Sequence, residues 1–254
     1  RRRHSFPTRR SSDLTEAQKQ RWLPKVTNGE MLAAIAMTEP GCGSDLKAIS
    51  TRARRDGDYY VIDGAKTFIT NGFTGNLLIV AARTSGAGSK GVSLFVLETE
   101  NLPGFRVGRL LEKIGMQASD TAELFFDNVR VPTTNLLGEE GQGFKMLMTK
   151  LAQERLAQAV RSTTVCEAAI DWTVAYTRDR KAFGTTISAF QNTRFKLADL
   201  EAQVRVNRAY IENCKEKYDR GALTAVDASV AKLTTTELQG KVADECLQLF
   251  GGYG

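Results

Sequence analysis

The stretch AELFFDNVRVPTTNLLGEEGQGFKMLMTKLAQERL, residues 122–156, contains the change of pattern that decides the fold. Up to Pro132 apolar residues come in short, β-rich runs; beyond GEEGQG at 138–143 glycine and proline become scarce and long helical sequence takes over. Upstream stand YYVID at 59–63, KTFIT at 66–70, NLLIVAA at 76–82, VSLFVL at 92–97 and AELFFDNVRV at 122–131. Asp56-Gly57, Asp63-Gly64 and Asn71-Gly72 lie among them, pairs that tolerate positive φ and are expected to close tight hairpins. The reading is an antiparallel meander, closed as a barrel or stacked as two sheets, over residues 31–135. Downstream, over 136–254, three helices are expected at about 144–178, 187–218 and from 224 into Gln248, as antiparallel neighbours of a bundle. Leu147, Leu151, Val160 and Ile170 would form the apolar face of the first. The fold class is therefore α+β, an antiparallel β-barrel or sandwich followed by a helical bundle.

Composition bounds the chemistry. With 254 residues, 42% apolar and 25% charged, the chain has a core to bury. Its longest apolar run, Met31 to Met37, is far short of the roughly 20 residues of a membrane-spanning helix. The net charge of +6 suggests nucleic acid, yet residues 1–14 carry +4 of it and the remainder only +2. Within that tail, HSFPTRRSSDL at 4–14 resembles a one-frame translation of a sequencing adapter and is set aside as non-native. No nucleic-acid role is left. His4 is the only histidine, so the body has no Ser-His-Asp or Cys-His relay and lacks the commonest transition-metal ligand. Cys42, Cys166, Cys214 and Cys246 form no C-x-x-C pair and read as small buried thiols of a reducing compartment; no metal site is expected. Neither a P-loop nor a Rossmann glycine fingerprint is present.

Three local patterns carry chemical meaning. MTEPGCGSD at 37–45 is a β-to-loop stretch whose glycines admit a ligand close to the backbone and whose Thr38 and Ser44 offer hydroxyls, though many such loops are only turns. TRDRKAFG at 177–184 clusters Arg178, Arg180 and Lys181 at a helix C-terminus, where cations also serve the helix dipole alone. Glu154 lies three residues after Leu151 and seven after Leu147, in phase with an apolar stripe. A carboxylate desolvated there suits a general base for a carbon acid; the alternative is an exposed i,i+4 pair with Lys150.

These residues resemble the acyl-CoA dehydrogenases over nearly everything from Thr15 to Gly254. AMTEPGCGSDLKA at 36–48, KTFITNG at 66–72, LEKIGMQASDTAELFFDNVRVP at 111–132, RKAFG at 180–184 followed by Phe190-Gln191, and QLFGGYG at 248–254 stand in the family's order. The resemblance implies a flavoprotein with FAD between a middle β domain and a helical bundle. Residues 15–30 would be a remnant of an N-terminal helical domain, with the chain cut short at both ends. Ile35, Ala36, Met37, Thr38, Gly43 and Ser44 would line the isoalloxazine and pyrophosphate, with Thr38 near the pyrimidine edge. Phe68, where many members carry tryptophan, Ile69 and Thr70 would complete the flavin side, Thr70 donating toward N5. Arg180, Gln191, Gln248, Gly251 and Gly252 would bind the adenine half of the FAD of a neighbouring subunit, in a homotetramer or homodimer.

The reaction so implied is α,β-dehydrogenation of an acyl-CoA to a trans-2-enoyl-CoA, with electrons passed to electron-transfer flavoprotein. The alternatives are an oxidase that passes them to oxygen, or an inactive fragment. KLAQERL at 150–156 is similar to the long-chain branch, whose catalytic base lies on the first bundle helix, and this makes Glu154 the expected base. Ser44, Gln153 and Arg155 would lie on the substrate side. Long or medium straight acyl chains are the leading expectation, with a bacterial cytoplasm, or a mitochondrial matrix in a eukaryote, as the location.

Overall fold

A computed structural model describes residues 13–86 and 88–254; the basic tail apart from Asp13 and Leu14 lies outside the described residues. The chain divides into two compact units, one ending at Leu147 and the other beginning at Met148.

The first unit opens with α1 (Glu16–Thr27), started by a capping box in which Thr15 accepts from Gln18 N and the Gln18 side chain accepts from Thr15 N. Gln18 Nε2 also donates to the carbonyls of Thr134 and Leu136, both at 2.9 Å, and the buried Trp22 donates to Glu98. Strands β1 (Ala33–Ala36), β2 (Arg52–Asp56), β3 (Tyr59–Thr70), β4 (Leu77–Arg83), β5 (Val92–Glu98), β6 (Phe105–Leu110), β7 (Thr121–Pro132) and β8 (Leu136–Leu137) follow. They make one sheet in the order β6-β7-β3-β2-β4-β5-β8, with β1 beside β4.

The sheet is not the simple meander expected. Strand β3 pairs with β7 rather than with its successor, and β1 runs parallel to β4 with Ala33 opposite Leu77. The physical reason lies in burial: β4 and β5 are enclosed along nearly their whole length, so their continuous apolar runs take interior places with a strand on either side, while the half-buried β3 and β7 pair with each other. The turn signals also divide. Asp56-Gly57 does close a hairpin, with Asp56 opposite Tyr59. Asp63-Gly64 lies inside β3 at a register shift against β7, and Asn71-Gly72 leads out of β3 toward β4, which is not its neighbour. Ala36, Ile62, Ile69, Leu78, Val80, Phe95, Leu97 and Leu124 meet in the core of this unit.

In the second unit α2 (Gly143–Asp179), whose first turn belongs to the first unit, is followed by a small hairpin of β9 (Lys181–Ala182) and β10 (Thr185–Thr186). Then come α3 (Gln191–Asp219) and α4 (Ala225–Phe250). Thr224 and Asp227 form the capping box of α4. The stripe that α2 buries here runs through Leu156, Ala159, Thr163, Cys166 and Ile170, not through Leu151. Cys166 and Ile170 pack with Leu200, Val204, Leu238, Val242 and Cys246; Leu156 and Ala159 pack with Ile211, Cys214 and Ala231. Arg208 of α3 pairs with Glu167 of α2, and Lys196 of α3 with Glu245 of α4. All four cysteines are free and buried, as their spacing suggested. Among the described residues no helix is long and apolar enough to cross a membrane.

Gly64 shows how tightly the first unit is drawn together. A Cβ there would stand 2.5 Å from Thr51 Oγ1 and 2.7 Å from Thr51 Cα, at a φ of +149°. Gly64→Ala is expected to lower stability by about 2–3 kcal/mol, through steric overlap and backbone strain together. Urea unfolding against the unsubstituted chain measures it; a loss below about 0.5 kcal/mol, the ordinary surface range, would contradict the close approach.

Candidate functional site

The residues expected on the flavin side fall on two segments of the first unit that share a buried anchor. Lys66 of β3 and Glu39, in the loop after β1, are both buried, with Lys66 Nζ donating to Glu39 Oε1 at 2.8 Å and to the Met37 carbonyl at 3.0 Å. Glu39 Oε2 accepts from Ser50 N and Ser50 Oγ at 2.7 and 2.6 Å, and Oε1 from Thr51 N at 2.9 Å. One residue to either side of the pair, Thr67 N donates to the Thr38 carbonyl at 2.9 Å. Burial by itself raises the Glu39 pKa, but the Lys66 charge and the bonds from Lys66, Ser50 and Thr51 outweigh it and hold the carboxyl at about 2.

Beyond Lys66 the strand slips. Its register against β7 shifts between Lys66 and Ile69, and Phe68 takes a φ of +57°, a conformation that costs a bulky residue energy. Ile69 is thereby sunk in the core while Phe68 is 67% exposed, and Thr70, next after Ile69, is exposed as well. Asp120 secures the following loop, accepting from Phe73 N at 2.7 Å and Thr74 Oγ1 at 2.9 Å. On the other segment, Ile35 and Thr38 are half-buried and Ala36 fully buried. Gly43 and Ser44 are exposed, and a Cβ added to Gly41 or Gly43 would meet nothing within 4 Å. Ala36 and Ile69 therefore offer a ligand only their backbone.

The second unit gathers another group. Arg180, Gln248, Gly251 and Gly252 line one cavity of about 540 Å³ together with Tyr176 and Tyr253. Tyr176 stacks on Phe250 with ring centroids 4.3 Å apart, and the Arg180 guanidinium lies 5.8 Å from the Tyr253 ring centre. Gln191 is not part of that lining; it is exposed in the first turn of α3. Gln153 lines a separate cavity of about 220 Å³ with Thr149, Lys150, Tyr218 and Leu223. Arg155 donates to Ser229 Oγ at 3.2 Å.

Glu154 is half-buried and lies off the buried stripe of α2, which corrects the expectation that it rides a core-facing apolar face. Among the described residues it makes no ion pair, with Lys150 or any other group. Sequence reasoning passed over Glu39, Lys66, Tyr176 and Tyr253. Lys66 had a signal: it is in phase with the buried Tyr60 and Ile62, an inward place that a lysine takes only with a partner.

This is an α+β chain whose polar and aromatic site residues are divided between a sheet unit and a helical unit. Its sheet unit matches the family model described as acyl-CoA dehydrogenase, middle domain, over residues 34–129, and its helices match acyl-CoA dehydrogenase, C-terminal domain, over 141–254. The chain belongs to the acyl-CoA dehydrogenase family. It is 44% identical over 243 residues to the mitochondrial long-chain specific acyl-CoA dehydrogenase of Mus musculus, covering 94% of this chain and 56% of that protein. An acyl-CoA dehydrogenase structure from Geobacillus kaustophilus superposes with a TM-score of 0.94 at 46% identity, covering 98% of this chain and 66% of that one. A glutaryl-CoA dehydrogenase of Mycobacterium smegmatis, solved in complex with FADH2, gives 0.88 at 30% identity, with 94% and 61% covered. The chain thus spans little more than half the length of the curated long-chain relative.

The buried pair sets a stability test. Lys66→Met leaves Glu39 buried without its cation and is expected to cost about 3–5 kcal/mol. Because the folded pKa of Glu39 lies near 2, below its ordinary 4.5, its contribution is complete above pH 4.5 and fades as pH falls from there toward 2. Urea midpoints measured from pH 6 down to 3 should fall less steeply in Glu39→Gln, and an unchanged slope would refute the assignment.

Proposed function

We propose that the protein carrying this chain is an FAD-dependent acyl-CoA dehydrogenase of the long-chain type, active as a homo-oligomer. The observation that carries the reading is the Phe68 bulge: a large ring held exposed by strained backbone, on a strand bonded through Thr67 to a loop with open space at Gly41 and Gly43. Such a ring suits a planar ligand, and strain of this kind collects at functional sites. A flavin fits these residues, with Thr38, Ser44 and Thr70 as its polar partners. The cavity around Arg180, Gln248, Gly251 and Gly252 combines a cation, an amide, two glycines and aromatic rings, donors that suit the adenine and phosphates of a neighbouring subunit's FAD. FAD held by these residues would supply the acceptor for the hydride that leaves the β carbon of the acyl group.

The work of the chain itself is proton transfer and alignment. Glu154 takes the α proton on its carboxylate, as an unpaired half-buried carboxyl is free to do. Arg155 is tied to Ser229 and holds its turn of α2 in place, while Gln153 faces the substrate side. Electrons leave for an electron-transfer flavoprotein.

The test is Glu154→Gln in the purified flavin-loaded protein, mixed anaerobically with a long-chain acyl-CoA while the visible flavin absorbance is followed. Bleaching is expected to slow by roughly 10²–10⁴-fold, the usual worth of a general base, with flavin content unchanged. Bleaching at the original rate would remove Glu154 from the mechanism. Stoichiometric peroxide during aerobic turnover would replace the dehydrogenase reading with an oxidase.

A further inference from the structure

Strands β2 and β4 touch only at Arg52 and Arg83 and then part, leaving the edge of β2 from Ala53 to Asp56 without a strand partner on that side. The groove that opens there encloses about 660 Å³ and is lined by Lys47, Arg52, Arg54, Arg55 and Arg83 over a floor that includes Ile49 and Ala53. Its lining contains no carboxylate. None of these five cations is in an ion pair among the described residues, although ion pairs form at many other places.

Arg83 and Lys47 are placed by groups other than anions. Arg83 is fixed by carbonyls alone: Nε donates to Ile49 O at 2.9 Å, Nη2 to Lys47 O at 2.6 Å, and Nη1 to Gly86 O and Gly88 O at 2.6 and 3.2 Å. Its guanidinium is thus held by backbone carbonyls, with no carboxylate partner among the described residues. Lys47 lies over the Phe144 ring, its Nζ 5.9 Å from the centre. Arg52 and Arg54 are exposed on the same face of β2, and among the described residues neither side chain makes a hydrogen bond or ion pair. Like charges gathered in one concavity repel one another and focus a positive potential, an arrangement that an anion relieves. Two forked guanidinium groups free to swing, backed by a fixed third, match the oxygen geometry of phosphate better than that of a single carboxylate.

We infer that this groove is a binding site for a phosphate-rich small anion, separate from the residues assigned above to flavin and to proton transfer. The shared chemistry is a nucleotide carrying two or more phosphates. Its source is either a free nucleotide or the nucleotide tail of a CoA thioester.

Calorimetric titration of the full chain at low ionic strength with ATP, adenosine 3′,5′-bisphosphate and sodium tripolyphosphate tests the inference. Saturable one-to-one binding of at least one probe is expected, with Arg52→Gln/Arg54→Gln weakening it by roughly tenfold or more. Preference for the 3′,5′-bisphosphate assigns the site to the thioester tail; preference for ATP or tripolyphosphate assigns it to a free nucleotide. Absence of saturable binding, or equal affinity in the double variant, overturns the site. Circular dichroism and flavin content should be unchanged in the variant, since neither arginine contributes to the core or to the flavin-side residues. Failure of the groove is thereby distinguished from failure of the dehydrogenase reading, which rests on Glu154.

Discussion

The first unit depends on one buried ion pair. Taking an ammonium and a carboxylate out of water is costly, and the attraction between them offsets that cost only when the remaining donors and acceptors are also satisfied. Glu39 and Lys66 meet this condition because five hydrogen bonds converge on them, from Ser50, Thr51 and Lys66 itself onto Glu39, and from Lys66 onto the Met37 carbonyl. An apolar pair of equal volume could fill the space but could not hold three chain segments of which two have no strand partner there. The segment from Met37 to Thr51 is a long crossover with little regular structure, and this pair, together with the bond from Thr67 N to the Thr38 carbonyl, ties it to β3.

The helical unit is organised differently. Its core is apolar with small thiol and hydroxyl side chains, and its polar contacts lie at the margins, Arg208 with Glu167 and Lys196 with Glu245. Pairs of that kind, partly open to water, contribute little individually, so packing at helical spacing supplies most of the stability. At the end of α4 Tyr176 and Phe250 stack and the chain turns through Gly251, beside the cavity lined by Arg180 and Gln248. The stacked pair stands beside the glycines that line this cavity.

Much of this was legible in the sequence because period and punctuation carry local information. The switch after Pro132, the three helices to within a few residues, the hairpin at Asp56-Gly57 and the buried cysteines all follow from spacing and residue type. The order of the strands did not follow. Nothing local distinguishes β3 pairing with β7 from β3 pairing with β4, since both choices bury the same apolar face, and the decision belongs to the sheet as a whole. Asp63-Gly64 misled for a related reason: a glycine needed for close approach to Thr51 looks identical in sequence to one needed for a turn. The phase of Glu154 was misread because Leu147 is buried in one unit and Leu156 in the other, so α2 carries two apolar faces in succession. The cavity at Arg180 and Gln248 joins residues far apart in the chain and came to view through family likeness, not from spacing.

A β-strand is in effect a two-letter code, inward and outward in alternation, and the bulge at Phe68 is a one-letter slip in that code. Without the extra residue, the positions after it would exchange faces: the aromatic ring would be read into the core and Ile69 out to solvent. Position 68 thus owes its outward aim to chain length and not to its own side chain. Ring size there is open to variation while the count of residues between Lys66 and Ile69 is not, so the site is more tolerant of substitution than of a single insertion or deletion.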